Sequence, residues 1–279
     1  MAKYGILLDV TKCTGCYSCY LACKDEYVNN DYPGFSVAQP EGQTWLRLSE
    51  VEQGSESKVK VDYIPIMCQH CNDAPCMKVA PEGAVYRRAD GVIIIDPVKA
   101  KGYKKIVDAC PYRAIYWNEG LNVAQKCTMC AQMIDAGEKE TRCSEVCPTG
   151  ALVFGDMADA NSEISKLIKA KKDQVEDFKP QFETKPTVKY IGIPRPFIAG
   201  EIMLADNDEC IKGAKVTLSC ECGYKAEAST DFFGDFQFKG LESNVDYTLK
   251  AEYDGYYPVE MTVRTNAAKN VGEIVLQPK

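Results

Sequence analysis

The sequence is short of positive charge. Its 279 residues hold 33 lysines and arginines against 40 acids, giving a net charge of −7 and a pI near 5.0. No basic stripe runs along it, which argues against a nucleic-acid partner. No apolar run approaches the roughly 18 residues that a bilayer-spanning helix needs. The start, MAKYGILLDVTKC, enters a cysteine motif at once and leaves no room for a cleavable signal peptide. A cytoplasmic protein without a membrane anchor is expected. A phosphate-cradling loop, a dinucleotide fingerprint and any nucleophile-plus-base arrangement are also missing, so no catalytic residue is expected in this chain. There is a single histidine, His70. Apolar content of 46% and charged content of 26% are those of an ordinary globular protein, and the length allows two domains.

Against these absences stand 15 cysteines. Twelve lie between Cys13 and Cys147, and Cys210, Cys220 and Cys222 follow far downstream. A secreted disulfide framework fits poorly, because the total is odd and no export signal is visible. The twelve fall into motifs: Cys13-x-x-Cys16-x-x-Cys19-x-x-x-Cys23, Cys68-x-x-Cys71-x-x-x-x-Cys76, a solitary Cys110-Pro111, and Cys127-x-x-Cys130 with Cys143-x-x-x-Cys147-Pro148. Thiolates two residues apart in a tight turn grip neighbouring irons of one cubane, and a ligand further along sits on the next helix. Zinc favours paired C-x-x-C but takes four ligands per ion and rarely a triple run ending in Cys-Pro. The spacing predicts [4Fe–4S] clusters.

An internal repeat assigns the ligands. DVTKCTGCYSCYLACKD, from Asp9, runs in step with DPVKAKGYKKIVDACPY, from Asp96. Cys23 falls on Cys110, whereas Cys13, Cys16 and Cys19 fall on Ala100, Tyr103 and Ile106. A second repeat, APEGAVY, CPYRAIY and CPTGALVF, sets Ala80 where Cys110 and Cys147 stand. In each copy a helix end carries the ligand, proline stops the helix and a short apolar strand follows. In two-cluster ferredoxins the fourth cysteine of each run ligates the other cluster. Under that rule Cys13, Cys16 and Cys19 pair with Cys147; Cys127, Cys130 and Cys143 with Cys23; and Cys68, Cys71 and Cys76 with Cys110. A fourth site would have used positions 80, 100, 103 and 106, and none is cysteine. Three clusters are expected, with the lost site filled by packing from Tyr103 and Ile106. His70, inside CQHC, would be a redundant ligand and reads as a neighbour that packs or hydrogen-bonds near its cluster. Trp45 and Trp117 read as packing residues.

The expected fold is α+β: two interleaved ferredoxin-like [4Fe–4S] units followed by a small C-terminal antiparallel β-sandwich. Residues 1–155 form the cluster domain, with 24–67 inserted and carrying a strand pair at TWLRLSEVEQ and SKVKVDYIPI. Residues 156–197 read as an amphipathic helix, from Ala160, and a tether with four prolines crossing the surface. From Ile198 to 279, six short alternating stretches between Gly, Asp and Asn turns suggest a sandwich of the Cna-B or transthyretin-like kind. Cys220 and Cys222, two apart on a strand, read as buried thiols.

The four-motif arrangement, with CQHCNDAPC and its Cys-Pro-x-x-Ala ends, resembles the iron–sulfur (beta) subunits of the dimethyl sulfoxide reductase family of molybdopterin enzymes. The resemblance covers roughly residues 3–190, and most members hold four clusters. With three clusters and a C-terminal sandwich the chain is similar to the transhydroxylase branch of that family; GAVYRRADGVIIIDPVKAKG and YWNEGLNVAQKCTMCA carry that likeness. The resemblance implies an electron-transfer subunit of a complex acting on polyhydroxylated aromatics, by hydroxyl transfer or catechol dehydroxylation. Its partner would be a large catalytic subunit holding molybdenum on two pterins. The Cys13 cluster would face that subunit, with the Cys23 and then the Cys110 clusters further away. A sulfoxide, sulfur-compound or formate enzyme, or a free ferredoxin-type carrier, are the alternatives.

Overall fold

The computed structural model describes residues 1–55, 58–206 and 209–279. Glu56, Ser57, Asn207 and Asp208 lie outside it, Ser57 being the first residue of the second expected strand in the insertion. Strands outnumber helices, and the longest described helix has 10 residues. Among the described residues no helix is long and apolar enough to cross a membrane. Two compact units divide the chain: 1–50 with 62–193, and 51–61 with 194–279.

The first unit opens with β1 (Tyr4–Asp9), whose Ile6, Leu7 and Leu8 are buried. A turn holding Cys13 and Cys16 leads into α1 (Ser18–Tyr27), which carries Cys19 and Cys23. The insertion supplies the expected strand pair, β2 (Arg47–Ser55) and β3 (Lys58–Ile66). The helix–proline–strand device then recurs three times: α2 (Pro75–Val79), with Pro81, leads to β4 (Val85–Arg87), which pairs with β5 (Ile93–Ile95). After it α3 (Lys105–Asp108), with Pro111, leads to β6 (Tyr116–Asn118), paired with β7 (Val123–Gln125). Finally α4 (Ala131–Asp135) precedes α5 (Arg142–Glu145), Pro148 and β8 (Leu152–Asp156). Proline cannot donate to the helix ladder, so each helix stops and the following apolar residues are free to pair as a strand.

Beyond β8 the structure departs from the sequence reading. The α-helix spans only Glu163–Ala170 (α6), capped by the Ser162 side chain, with short 3-10 turns at Lys172–Gln174 and Pro180–Phe182. Ile164 on α6 is fully buried and packs with Leu7 and Ile191; Gly155 permits the approach, since a Cβ there would stand 2.9 Å from the Ile164 side chain. The expected surface tether contains β9 (Val175–Glu176) and a buried strand, β10 (Val188–Ile191). β10 pairs in parallel with β1, Ile6 opposite Val188 and Leu8 opposite Tyr190, and the sheet order is β8-β1-β10-β9. Val188 and Tyr190 are 0% exposed. Their apolar alternation, set between Pro186 and Pro194, outweighs the prolines, which sit outside the ladder.

The second unit holds β11 (Ile198–Leu204), β12 (Glu209–Cys210), β13 (Lys215–Ser219), β14 (Lys225–Ser229), β15 (Asp235–Phe238), β16 (Asp246–Glu252), β17 (Val259–Arg264) and β18 (Lys269–Leu276). One sheet runs β12-β11-β15 with β18 also on β11; the other runs β14-β13-β16-β17. Inward residues of both, among them Ile202, Phe236, Val216, Leu218, Leu249 and Ile274, meet in one core. The β11–β18 pairing is parallel, Ile202 opposite Ile274, and the other pairings are antiparallel. Cys220 and Cys222 do not follow the strand reading. β13 ends at Ser219, and the two cysteines join in a disulfide across the turn, Cα atoms 5.1 Å apart, with Cys222 exposed.

Candidate metal centre

The Cys13, Cys16 and Cys19 thiols converge with Cys147, and all four line one cavity. The turn that aims them depends on Gly15, at φ 68°, where a Cβ would meet the Tyr63 ring at 2.6 Å. Tyr17 follows in a left-handed conformation before α1 starts, its hydroxyl donating to Glu50 at 2.9 Å. The Cys147 sulfur accepts the Ala151 N–H at 3.2 Å, and Cys16 lies 3.4 Å from the Ser18 hydroxyl. Burial pushes the Cys19 thiol up to about 12, and the charges of Cys13, Cys147 and Cys16 add to the rise. The hydrogen bond with Ser18 lowers Cys16. For Cys147, burial is outweighed by hydrogen bonds from Leu152, Thr149 and Ala151. Cys16 is the one exposed thiol of the twelve.

One helical turn along α1 the environment changes. Cys23 is raised by burial and then by Cys127, Cys143 and Cys130. Cys19 and Cys23 are four residues apart on α1, about 6 Å of rise at 1.5 Å per residue, so the helix hands its two thiols to adjacent sets. In the second set Cys127 is pushed up to about 12, first by burial. Its sulfur accepts the Met129 N–H at 3.3 Å. Cys130 caps α4 in a left-handed conformation, and Thr141, which caps α5, lies 3.2 Å from the Cys143 sulfur. Tyr27 is buried beside this set, its hydroxyl 2.8 Å from that of Thr128.

The third set joins Cys68, Cys71 and Cys76 to Cys110. Burial pushes Cys71 up to about 12 and Cys76 to about 11, with Cys68 and Cys110 raising both. Cys110 accepts the Ala114 N–H at 3.4 Å, and Arg87 pins the loop by donating to the Cys71 and Asn72 carbonyls at 2.6 and 2.9 Å. Neighbouring sets also sense one another: Cys19 and Cys143 across the first and second, Cys127 and Cys68 across the second and third.

Two buried groups around the third set suit a cluster. Metal ligation needs thiolates, and an iron core offsets the mutual repulsion that otherwise raises these thiols. Among the described residues no three His, Cys, Asp or Glu side chains lie close enough to hold a single ion. His70, 1% exposed, accepts the Ile93 N–H at Nδ1 at 3.0 Å, so its hydrogen sits on Nε2, which is buried with no partner among the described residues. Burial, then Lys126 and Arg87, hold this imidazole neutral. A cluster held by the Cys68 set would offer sulfur as an acceptor to this nitrogen. Lys126, 2% exposed, donates to the Ile93 and Cys127 carbonyls and acts electrostatically on Cys76, Cys110 and Cys127. Sequence reasoning missed it, since lysine is a surface residue by default; its place next to Cys127 was the one available signal.

At the fourth position Ala100 and Ile106 are 0% exposed and Ala80 is half-buried. Tyr103 does not fill the site as expected. It is 49% exposed, and Ala100 and Ile106 are the positions that turn inward to the core.

Residues 59–157 match the family model of the 4Fe-4S dicluster domain. Over 282 residues the chain is 36% identical to the pyrogallol hydroxytransferase small subunit of Pelobacter acidigallici, covering 99% of this chain and 100% of that one. A tetrathionate reductase subunit from Salmonella typhimurium is 32% identical over 70% of this chain and 75% of its own. A putative dimethyl sulfoxide reductase iron–sulfur subunit of Halobacterium salinarum is 34% identical over 60% of this chain and 71% of its own. The protein belongs to the electron-transfer iron–sulfur subunits of the dimethyl sulfoxide reductase family of molybdopterin enzymes.

Proposed function

We propose that this chain is the electron-transfer subunit of a hydroxytransferase-like or catechol-dehydroxylating enzyme acting on polyhydroxylated aromatics. The observation that carries the reading is the extent of the match to the pyrogallol hydroxytransferase small subunit, which runs the length of both chains, against 70% of this chain for the tetrathionate relative. The partner is a large catalytic chain bearing molybdenum on two pterins, in a heterodimer or a multiple of one. Within this chain, residues 1–155 form two interleaved ferredoxin-like units, 156–197 connect, and 198–279 form a β-sandwich that contributes no ligand. The sandwich reading is supported by two sheets closing on one core.

The ligand sets are Cys13, Cys16, Cys19 and Cys147; Cys23, Cys127, Cys130 and Cys143; and Cys68, Cys71, Cys76 and Cys110. Three [4Fe–4S] clusters bound there supply one-electron storage. The protein's part is to hold and tune them. The amides of Met129, Ala114 and Ala151 donate to ligand sulfurs, and each such bond favours the reduced, more negative state. Burial of the second and third sets keeps water from the iron. The first set, with exposed Cys16 beside exposed Tyr17 and Leu21, is the one suited to meet the catalytic chain.

The test is anaerobic purification through a tag on this chain, with molybdenum analysis and assays on pyrogallol and other polyhydroxybenzenes beside tetrathionate and sulfoxides. The reading expects a molybdenum-bearing large chain and turnover of the polyhydroxybenzenes. Purification without any large chain, or turnover of tetrathionate or sulfoxide alone, overturns it.

A further inference from the structure

Of the 15 cysteines, 13 are free thiols, and the other two, Cys220 and Cys222, are joined as a disulfide. Metal ligation needs thiolates, so the conditions that keep the upstream cysteines ready for iron also act on this bond. A purely structural role suits it poorly. The stabilisation a disulfide gives grows with the length of chain it closes, and this one spans a single residue, Glu221.

The turn is closed without it. The Cys220 N–H donates to the Tyr224 carbonyl at 3.1 Å, and the Gly223 N–H donates to the Cys220 carbonyl at 3.2 Å. Ser219 and Lys225, just outside, are paired across β13 and β14. Tyr224 anchors the far side, its ring edge-on to buried Tyr247 with centroids 5.6 Å apart. The backbone therefore holds the two cysteines together, Cα atoms 5.1 Å apart, whether or not the sulfurs are bonded. Access is one-sided. Cys222 is exposed between exposed Glu221 and Gly223, whereas Cys220 is half-buried and packs against the core of its unit. A disulfide open to attack, whose loss leaves both thiols in place to re-form it, has the character of a labile bond.

We infer that this turn is a reversible thiol–disulfide exchange site whose substrate is a dithiol. A thiolate of the dithiol bonds to the exposed Cys222 sulfur. The Cys220–Cys222 bond breaks, its electron pair leaves on Cys220, and Cys220 takes a proton. The second thiolate of the dithiol then attacks the mixed disulfide and releases Cys222, which takes the second proton. The turn gains two electrons and two protons, and the dithiol leaves as a disulfide. This two-electron chemistry uses none of the twelve upstream cysteines and is independent of the proposed one-electron role of the clusters.

The experiment uses the whole anaerobically purified complex. Samples are treated with glutathione disulfide, then with reduced thioredoxin or dithiothreitol at equal dithiol concentration, and denatured in N-ethylmaleimide. Tryptic peptide 216–225, VTLSCECGYK, carries both cysteines and is weighed after each step. It should be unlabelled after glutathione disulfide. After either dithiol it should carry two labels in about half of the molecules or more, with no denaturant present during reduction. Faster reduction by thioredoxin identifies a protein dithiol as the substrate, and equal rates identify a small one. Cys220→Ser, which keeps the exposed sulfur, should retain one glutathione on Cys222, and Cys222→Ser should take up several-fold less. A bond that yields only after unfolding is structural and overturns the inference. Thiols that glutathione disulfide leaves unbonded overturn it too, as does a zinc ion bound to the pair and blocking its labelling.

Discussion

Two ends of one repeat can be set side by side: Cys110 with its three upstream thiols, and the position of Ala80, Ala100, Tyr103 and Ile106. Both stand on the same local frame, a short helix, a proline and an apolar strand. In the first, four cysteines come together, and burial, then neighbouring charge, pushes up the Cys71, Cys76 and Cys110 thiols. In the second, two positions have gone to the core, since Ala100 and Ile106 are 0% exposed, and one has gone to the surface, since Tyr103 is half exposed. The difference teaches that the frame does not need the metal. Ala84, Ile93, Ile94 and Ala100, all at or near 0% exposure, pack that end with no cysteine among its four positions. Where ligands remain, packing positions them; where they are gone, it replaces them.

The sharpest way to break the comparison is to remove one ligand from the end that kept them. Cys110→Ser is expected to remove the third cluster, about four irons of about twelve, and leave the first two sets loaded; iron analysis with electron paramagnetic resonance reads this. Retention of all the iron, or loss of the Cys13 cluster, would show the pairing to be wrong. At the other end Ile106→Ala should cost about 2–5 kcal/mol of stability through the cavity it opens, read by denaturant unfolding of the loaded protein, with iron content unchanged. If it loses iron and stability together, the two ends are not independent.

Smaller effects test the groups around the third set. Lys126→Met removes a buried cation that acts on Cys76, Cys110 and Cys127, so the second and third clusters should become harder to reduce. His70→Leu removes one donor and should lower the third potential by less. A redox titration followed by electron paramagnetic resonance orders the two, and equal shifts in all three clusters would contradict the placement. Tyr103→Ala should be nearly silent, within about 0.5 kcal/mol, as for a surface position. A large loss there would mean that Tyr103 packs as Ile106 does.

Much of this site was legible because a cubane constrains its ligands locally. C-x-x-C turns and Cys-Pro helix ends are sequence patterns with one geometric meaning, and the repeat is what suggests the exchange of fourth ligands between Cys23 and Cys147. What escaped the sequence depends on distant neighbours. Val188–Ile191 reads as a tether among four prolines until β1 is placed beside it in parallel. Ile198–Leu204 has Gly200 at its centre, which weakens a strand pattern, yet a Cβ there would stand 2.7 Å from the Val271 side chain, so close packing demands the glycine. Strand alternation puts Cys220 and Cys222 on one face, but the strand stops a residue earlier. Lys126 and the outward Tyr103 are decided by what surrounds them, and the repeat carries no trace of that.

The measurement that tests the central claim most directly is iron and acid-labile sulfide per chain in the anaerobically purified native complex, corrected for metal in the large subunit. Three ligand sets and a frame that stands without a fourth predict about twelve irons and twelve sulfides, four of each per cubane. About sixteen would mean that the position of Ala80, Ala100, Tyr103 and Ile106 still holds a cluster, and about eight that one of the three sets is not a site; either would contradict the account.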